Sequence, residues 1–182
     1  MFIQQIDQNL SIRLIEMSDA DRVFTLTDDH RDYLKEWLPW VYSTHSVEDT
    51  RNFIRRRIEG YKDKKIISTV ILFNGEIVGM VGFTSIDFSI KTAYIGYWLD
   101  EDFQGNGIMT KVTKALTGYG MDELKLNKVE IRAAVDNHKS RRVPENLGFL
   151  YEGTIRAGEW NHDHFVDVAV YGMLAEEWQQ KT

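Results

Sequence analysis

An apolar run over residues 93–99 gives way to a loop with two closely spaced glycines, Gln104-Gly105-Asn106-Gly107. Beyond it, Ile108, Val112, Ala115, Leu116 and Tyr119 recur at helical spacing. Strand, tight loop and amphipathic helix in that order leave few folds open, because the helix must lay its apolar face on the sheet that the strand belongs to. Glycines at such a junction let backbone N–H groups converge on one concavity, and the helix N-terminus adds partial positive charge. That combination binds pyrophosphate. Two glycines taken alone are better described as a turn that merely caps a helix. The two commoner phosphate fingerprints do not fit: a dinucleotide fold wants a third glycine where Thr110 stands, and a P-loop wants Gly-Lys-Ser/Thr.

The rest of the chain frames this segment. A short strand is predicted over 11–15, then a helix capped by Ser18 that fades around 37–39. Ser46-Val-Glu-Asp49 resembles a capping box and starts a second helix, with Phe53, Ile54, Ile58 and Tyr61 on one face and Arg55-Arg56-Arg57 on its solvated face. Residues 66–73 turn β-branched, and Asn74-Gly75 ahead of Ile77-Val78 signals a tight hairpin. A strand over 129–135, a short helix over 138–146 and two last strands near 150–155 and 165–171 complete the order. Hairpins in the first half and strand–helix alternation in the second predict an α+β fold, a mixed sheet with helices on both faces.

With 182 residues and no linker or repeat, residues 1–182 are expected to form a single domain. The chain has no cysteine, which removes disulfides, thiolate zinc sites and a thiol nucleophile together. No signal-like segment or apolar stretch long enough for a bilayer occurs, so the expectation is a cytoplasmic protein without a membrane partner. A net charge of −6 argues against nucleic acid as a partner and mildly favours a basic or amine-bearing substrate. No metal is expected: His162 and His164 lack a third ligand at suitable spacing.

Gln104-x-x-Gly107 between strand and helix resembles the acyl-CoA signature of the Gcn5-related N-acetyltransferase (GNAT) superfamily, with Met109 departing from the small residue usual at the last position. Gly96-Tyr-Trp98-Leu99 ahead of it is similar to the branch that acetylates ribosomal proteins. Asp136-Asn137-x-x-Ser140, leading to Leu147-Gly148-Phe149-x-x-Glu152-Gly153, resembles a second family motif at the right separation. The resemblance implies the GNAT acyl-CoA N-acyltransferase fold, a mostly antiparallel mixed sheet, and acetyl-CoA as co-substrate without a metal.

It further implies a cofactor site made by Trp98, Leu99, Gln104, Gly105, Asn106, Gly107, Ile108, Met109, Thr110 and Asn137. Leu99 would offer its N–H to the acyl carbonyl oxygen. Ser140 would protonate the leaving thiolate, and Glu159 would take the amine proton. Asn137 and Ser140 also suit a helix N-cap, and Glu159 a surface turn. Trp37, Trp40 and Trp160 are acceptor-side candidates, with one of the first two expected to fill core and the other to contact the acceptor. The acceptor implied is a protein N-terminus such as that of a ribosomal protein. A small amine, a polyamine or aminoglycoside, is the alternative, as is a non-catalytic acyl-CoA sensor. Exposed aromatic edges near Trp160 and Phe165 are compatible with a homodimer.

Overall fold

The computed structural model describes residues 3–180. Eight strands form one sheet: β1 Ile3–Gln5, β2 Leu10–Leu14, β3 Ile67–Phe73, β4 Glu76–Asp87, β5 Thr92–Leu99, β6 Lys128–Ala134, β7 Leu150–Asn161 and β8 His164–Leu174. Their order is β1-β2-β3-β4-β5-β6-β8-β7, antiparallel throughout except for β5 beside β6. The turn between β3 and β4 is Asn74-Gly75, both at positive φ (52° and 83°), the paired left-handed geometry of a two-residue hairpin.

Helices α1 Ala20–Asp29, α2 Arg31–Leu34 and α3 Val47–Lys62 precede β3, α4 Ile108–Asp122 crosses from β5 to β6, α5 His138–Asn146 precedes β7, and α6 Ala175–Gln179 follows β8. Alternating strand residues divide the interior. Val70, Ile77 and Met80 join Val23, Leu26 and Ile54 of α1 and α3, while Ile71, Val81 and Phe83 join Val112 and Leu116 of α4. Helices therefore cover both faces, as the α+β reading requires. The parallel β5–β6 pair demands a crossover, and α4 supplies it. Its Gly120 lies so close to the Phe83 ring that a Cβ would stand 2.8 Å from it.

Four sequence expectations shift. Ser18 does not cap α1: Asp19 does the local anchoring, accepting the Glu16 N–H at 2.8 Å and pairing with both Arg13 nitrogens. The first helix stops at His30 instead of running towards Trp37, so residues 35–46 form an irregular wall with one 3-10 turn, Pro39–Ser43. An additional strand, β1, pairs with β2. Finally β7 runs on to Asn161, so Glu159 sits within a strand and not between the last two, past a register shift between Ile155 and Glu159.

Candidate active site

The site starts from a seam in the sheet. Parallel pairing of β5 with β6 ends at Ile95 and Ile131, although β5 continues to Leu99 and β6 to Ala134. On its other side β5 stays paired with β4 as far as Leu99, and Asp100 N–H still donates to Val78 O at 2.9 Å. Successive strand amides point to opposite edges. With Asp100 directed at β4, the N–H groups of Leu99 and Tyr97 point to the edge that β6 has left. Leu99 keeps its side chain in the core at 8% exposure, so it presents its backbone to that edge.

At the end of β5, Gly105 and Gly107 both take left-handed φ (78° and 70°), and Gly107 caps α4. The first helical bond there is Lys111 N–H to Gly107 O, which leaves the amides of Ile108, Met109 and Thr110 without intrahelical acceptors. Ile108 and Met109 bury their side chains in the core, so what remains for the loop is chiefly their backbone. Lys111, the nearest cation on the helix, is engaged elsewhere with Asp7 at 2.8 Å. An anion held here is held by amides and dipole.

Seam and loop open into one cavity of about 710 Å³ that includes Trp98, Leu99, Gln104, Gly105, Gly107, Ile108, Met109, Thr110, Asn137 and Ser140. Of the expected cofactor residues, Asn106 alone does not line it. The Asn106 amide folds back onto Phe103 O and Gln104 O and braces the loop from outside. Gln104 makes a support of its own, its Nε2 donating to Tyr33 and its Oε1 accepting from Lys139 Nζ at 3.1 Å. Asp100, 4% exposed, lies 3.0 Å from His30 Nε2 and accepts the Asp102 N–H at 2.9 Å. His30, Asp100 and Asp102 bring ligand atoms within 4.8 Å of one another. Their shared oxygen is already occupied by these contacts, which tie the end of α1 to the loop.

Helix α5 walls the far side of the same cavity. Asn137 caps it, accepting the Ser140 N–H at 3.1 Å, so the capping role is real and leaves the amide NH2 for the cavity. Ser140 faces Tyr97, whose hydroxyl donates to Ser140 O at 2.8 Å while Ser140 Oγ donates back at 3.4 Å. Burial pushes the Tyr97 phenol above its usual value, partly opposed by the Ser140 contact, so it stays protonated at working pH. Arg141 pins the helix, donating to the Tyr171 hydroxyl at 2.8 Å and to Val135 O at 2.7 Å. Sequence reading missed Tyr97, Tyr33 and Lys139. Tyr97 is one of two tyrosines in β5, and periodicity alone does not separate it from Tyr94. The other two become partners of the loop only through tertiary folding.

A second cavity, about 740 Å³, opens between β4, α1, α3 and residues 38–44. The two cavities share Leu38, Tyr97 and Trp98. Trp40 lines the second and packs against Trp98 with ring centroids 6.1 Å apart. Trp37 lines the first instead, and neither ring is core. Trp160 is half-exposed, edge-on to Phe165 at 4.7 Å, and borders neither cavity. Glu159 is exposed and borders neither, but it shares a face of β7 with Asn161, whose amide donates to Glu36 O at 2.7 Å. His162 stacks on Tyr42 at 3.9 Å, clamping the hairpin tip to the same wall. His164 turns to Asp163 at 2.7 Å.

Known proteins resemble the chain in sequence and in fold. YdaF of Bacillus subtilis (strain 168), whose name assigns it provisionally to the ribosomal N-acetyltransferases, is 36% identical over 183 residues, 98% of each chain. The ribosomal-protein-serine acetyltransferase of Escherichia coli (strain K12) is 27% identical, covering 94% of this chain and 96% of its own. The solved structure of RimL, a ribosomal L7/L12 alpha-N-protein acetyltransferase in complex with coenzyme A, superposes with a TM-score of 0.93 at 28% identity, over 97% of this chain and 99% of that one. The family model for the acetyltransferase (GNAT) domain matches residues 9–150, well over half of the sequence. The chain belongs to the GNAT acetyltransferase family.

Proposed function

We propose that the protein transfers an acetyl group from acetyl-CoA directly to a primary amine, the N-terminal α-amino group of a protein such as a ribosomal protein. The observation that carries this reading is the meeting of the two cavities at Tyr97 and Trp98, one walled by the phosphate loop and the open edge of β5, the other by Trp40 and α3. The names of the relatives point to the same acceptor class.

Acetyl-CoA supplies an acyl group already activated as a thioester, so no enzyme nucleophile is required. The chain fits such a co-substrate: free amides of the loop and first turn of α4 suit a pyrophosphate, and the open β5 edge suits an extended amide-bearing arm. The N–H groups of Tyr97 and Leu99 orient that arm and hold negative charge developing on the acyl oxygen. Ser140 Oγ delivers a proton to the departing sulfur and regains one from solvent. On the acceptor side, an α-amino group of pKa about 8 is already partly free base at neutrality, so Glu159, outside both cavities, need only accept its proton through water. Trp40 walls the acceptor, with Trp37 on the cofactor side and Trp160 at the hairpin tip as peptide contacts. Residues 1–182 act as one catalytic domain, supported by a sheet that draws strands from both ends of the chain. The proposed compartment is the cytoplasm, and among the described residues no helix is long and apolar enough to cross a membrane.

The test is free-thiol release from acetyl-CoA with a panel of N-terminal peptides, polyamines and aminoglycosides. Turnover with peptides supports the reading. Turnover restricted to small amines moves the acceptor class, and tight CoA binding without any turnover makes the chain a sensor.

A further inference from the structure

The acceptor cavity contains an electrostatic imbalance. Most arginines are spoken for: Arg13 by Asp19, Arg31 by Asp28, Arg51 by Glu48 and Asp21, Arg55 by Asn52 and Arg132 by Glu130. Among the described residues, the guanidinium groups with neither a hydrogen bond nor an ion pair are those of Arg56, Arg57, Arg142 and Arg156. Arg142 lines the cofactor cavity, where an anion is due, and Arg56 and Arg57 line the acceptor cavity.

Arg57 is not the solvated residue that its place in an Arg-Arg-Arg run predicts. It is half-buried and lies over the Phe53 ring at 4.8 Å, one helical turn back, while Arg55 and Arg56 are exposed. Burial, with Arg56 adding like charge, holds its guanidinium below the usual arginine value. The one carboxylate lining this cavity, Asp49, is committed to capping α3: it accepts the N–H groups of His45 and Ser46 and the Ser46 hydroxyl, all within 3.0 Å. A partly desolvated cation without a counter-charge is unfavourable unless an anion completes it. In a chain of net charge −6, the paired arginines are a local feature that runs against the overall field.

We propose that the acceptor carries a carboxylate close to the amine that is acetylated, and that Arg57, assisted by Arg56, binds it. The proposal rests on the acceptor reading above and gives it a specificity: peptides with Asp or Glu among the first residues after the acetylated one. A free carboxylate at the end of a very short acceptor offers the same chemistry, so the test separates the two sources.

The experiment compares peptide twins of equal length that differ only by Asp against Asn at position 2 or 3, each with an amidated and a free C-terminus. The expected result is a kcat/KM at least tenfold higher for the Asp twin with an amidated C-terminus, an acid-to-amide ratio that falls to near one in Arg57→Gln, and partial retention of the ratio in Arg57→Lys. The ratio is read within each variant, so a loss of folded protein cancels. Equal rates for the twins in the wild type, or a ratio untouched by Arg57→Gln, overturn the proposal while leaving peptide acetylation standing. A preference that follows only the free C-terminus overturns the side-chain source. No turnover with any peptide overturns this proposal together with the acceptor reading.

Discussion

The loop before α4 should be sensitive to backbone geometry and indifferent to the nearest charge, and Gly107 separates the two. At φ 70° it occupies left-handed space, where a Cβ costs about 1–2 kcal/mol. A Cβ built there meets nothing within 4 Å, so the folded chain suffers no clash. Gly107→Asn, which tolerates this conformation, should therefore lower the melting temperature by only a few degrees, since a chain of this size loses roughly 2–4 °C per kcal/mol. Gly107→Val is different. A β-branched residue resists left-handed φ, the backbone relaxes, and the amides around it turn out of the concavity. Losing two charge-assisted hydrogen bonds of about 1.5–3 kcal/mol each weakens CoA binding roughly a hundredfold to ten-thousandfold. Lys111→Ala removes a cation already paired with Asp7 and should change affinity less than about threefold, the scale of an exposed ion pair. Calorimetry with CoA, beside thermal denaturation of each variant, reads both quantities. A Lys111→Ala loss larger than that of Gly107→Val would refute the amide account.

Ser140→Ala should lower kcat and kcat/KM together with CoA affinity nearly intact. If it instead lowers only thermal stability, Ser140 merely packs α5 against Tyr97. Glu159→Gln should depress kcat/KM at neutral pH and recover in part at alkaline pH, as free amine accumulates without help; a profile scaled down but unchanged in shape would mean that the carboxylate only positions the ammonium. Tyr97 carries a pH signature. Its folded phenol binds its proton more tightly than the unfolded one, so between pH 10 and the folded value the native state holds more protons. Stability then falls as pH rises, by up to about 1.4 kcal/mol per unit. Tyr97→Phe should flatten that alkaline decline relative to the wild type in chemical denaturation, and identical slopes would count against burial of the phenol.

Local chemistry was legible in the sequence wherever it was short-range. The helix over 138–146 and its Asn137 cap, the Asn74-Gly75 hairpin and the strand–loop–helix at Gly107 all follow from neighbouring residues, and all stand in the structure. Two kinds of feature escaped. In β7 the register shift between Ile155 and Glu159, with Ala157 at φ 50°, breaks the alternation that marks a strand, so its far half read as a turn. Arg57 escaped for another reason. Helical spacing assigns a face but cannot say that residues 38–44 will fold over that face and turn it into a cavity wall. Trp37 and Trp40, three residues apart, part company in the same way: Trp40 lies within the 3-10 turn Pro39–Ser43 and Trp37 ahead of it, one ring at each cavity.

The seam between β5 and β6 also marks a boundary in the map of local stability. Among the described residues the β5–β6 ladder has four residue pairs, Thr92 to Ile95 with Lys128 to Ile131, whereas the β4–β5 ladder has eight. Amide hydrogen exchange should register that boundary within a single strand: Ile95 protected, Tyr97 and Leu99 exchanging fast although they sit in the middle of the sheet. A ligand lying along the open edge would slow those two amides selectively. The exchange rates of Tyr97 and Leu99 thus report occupancy of the seam, residue by residue, without any chemistry having to occur.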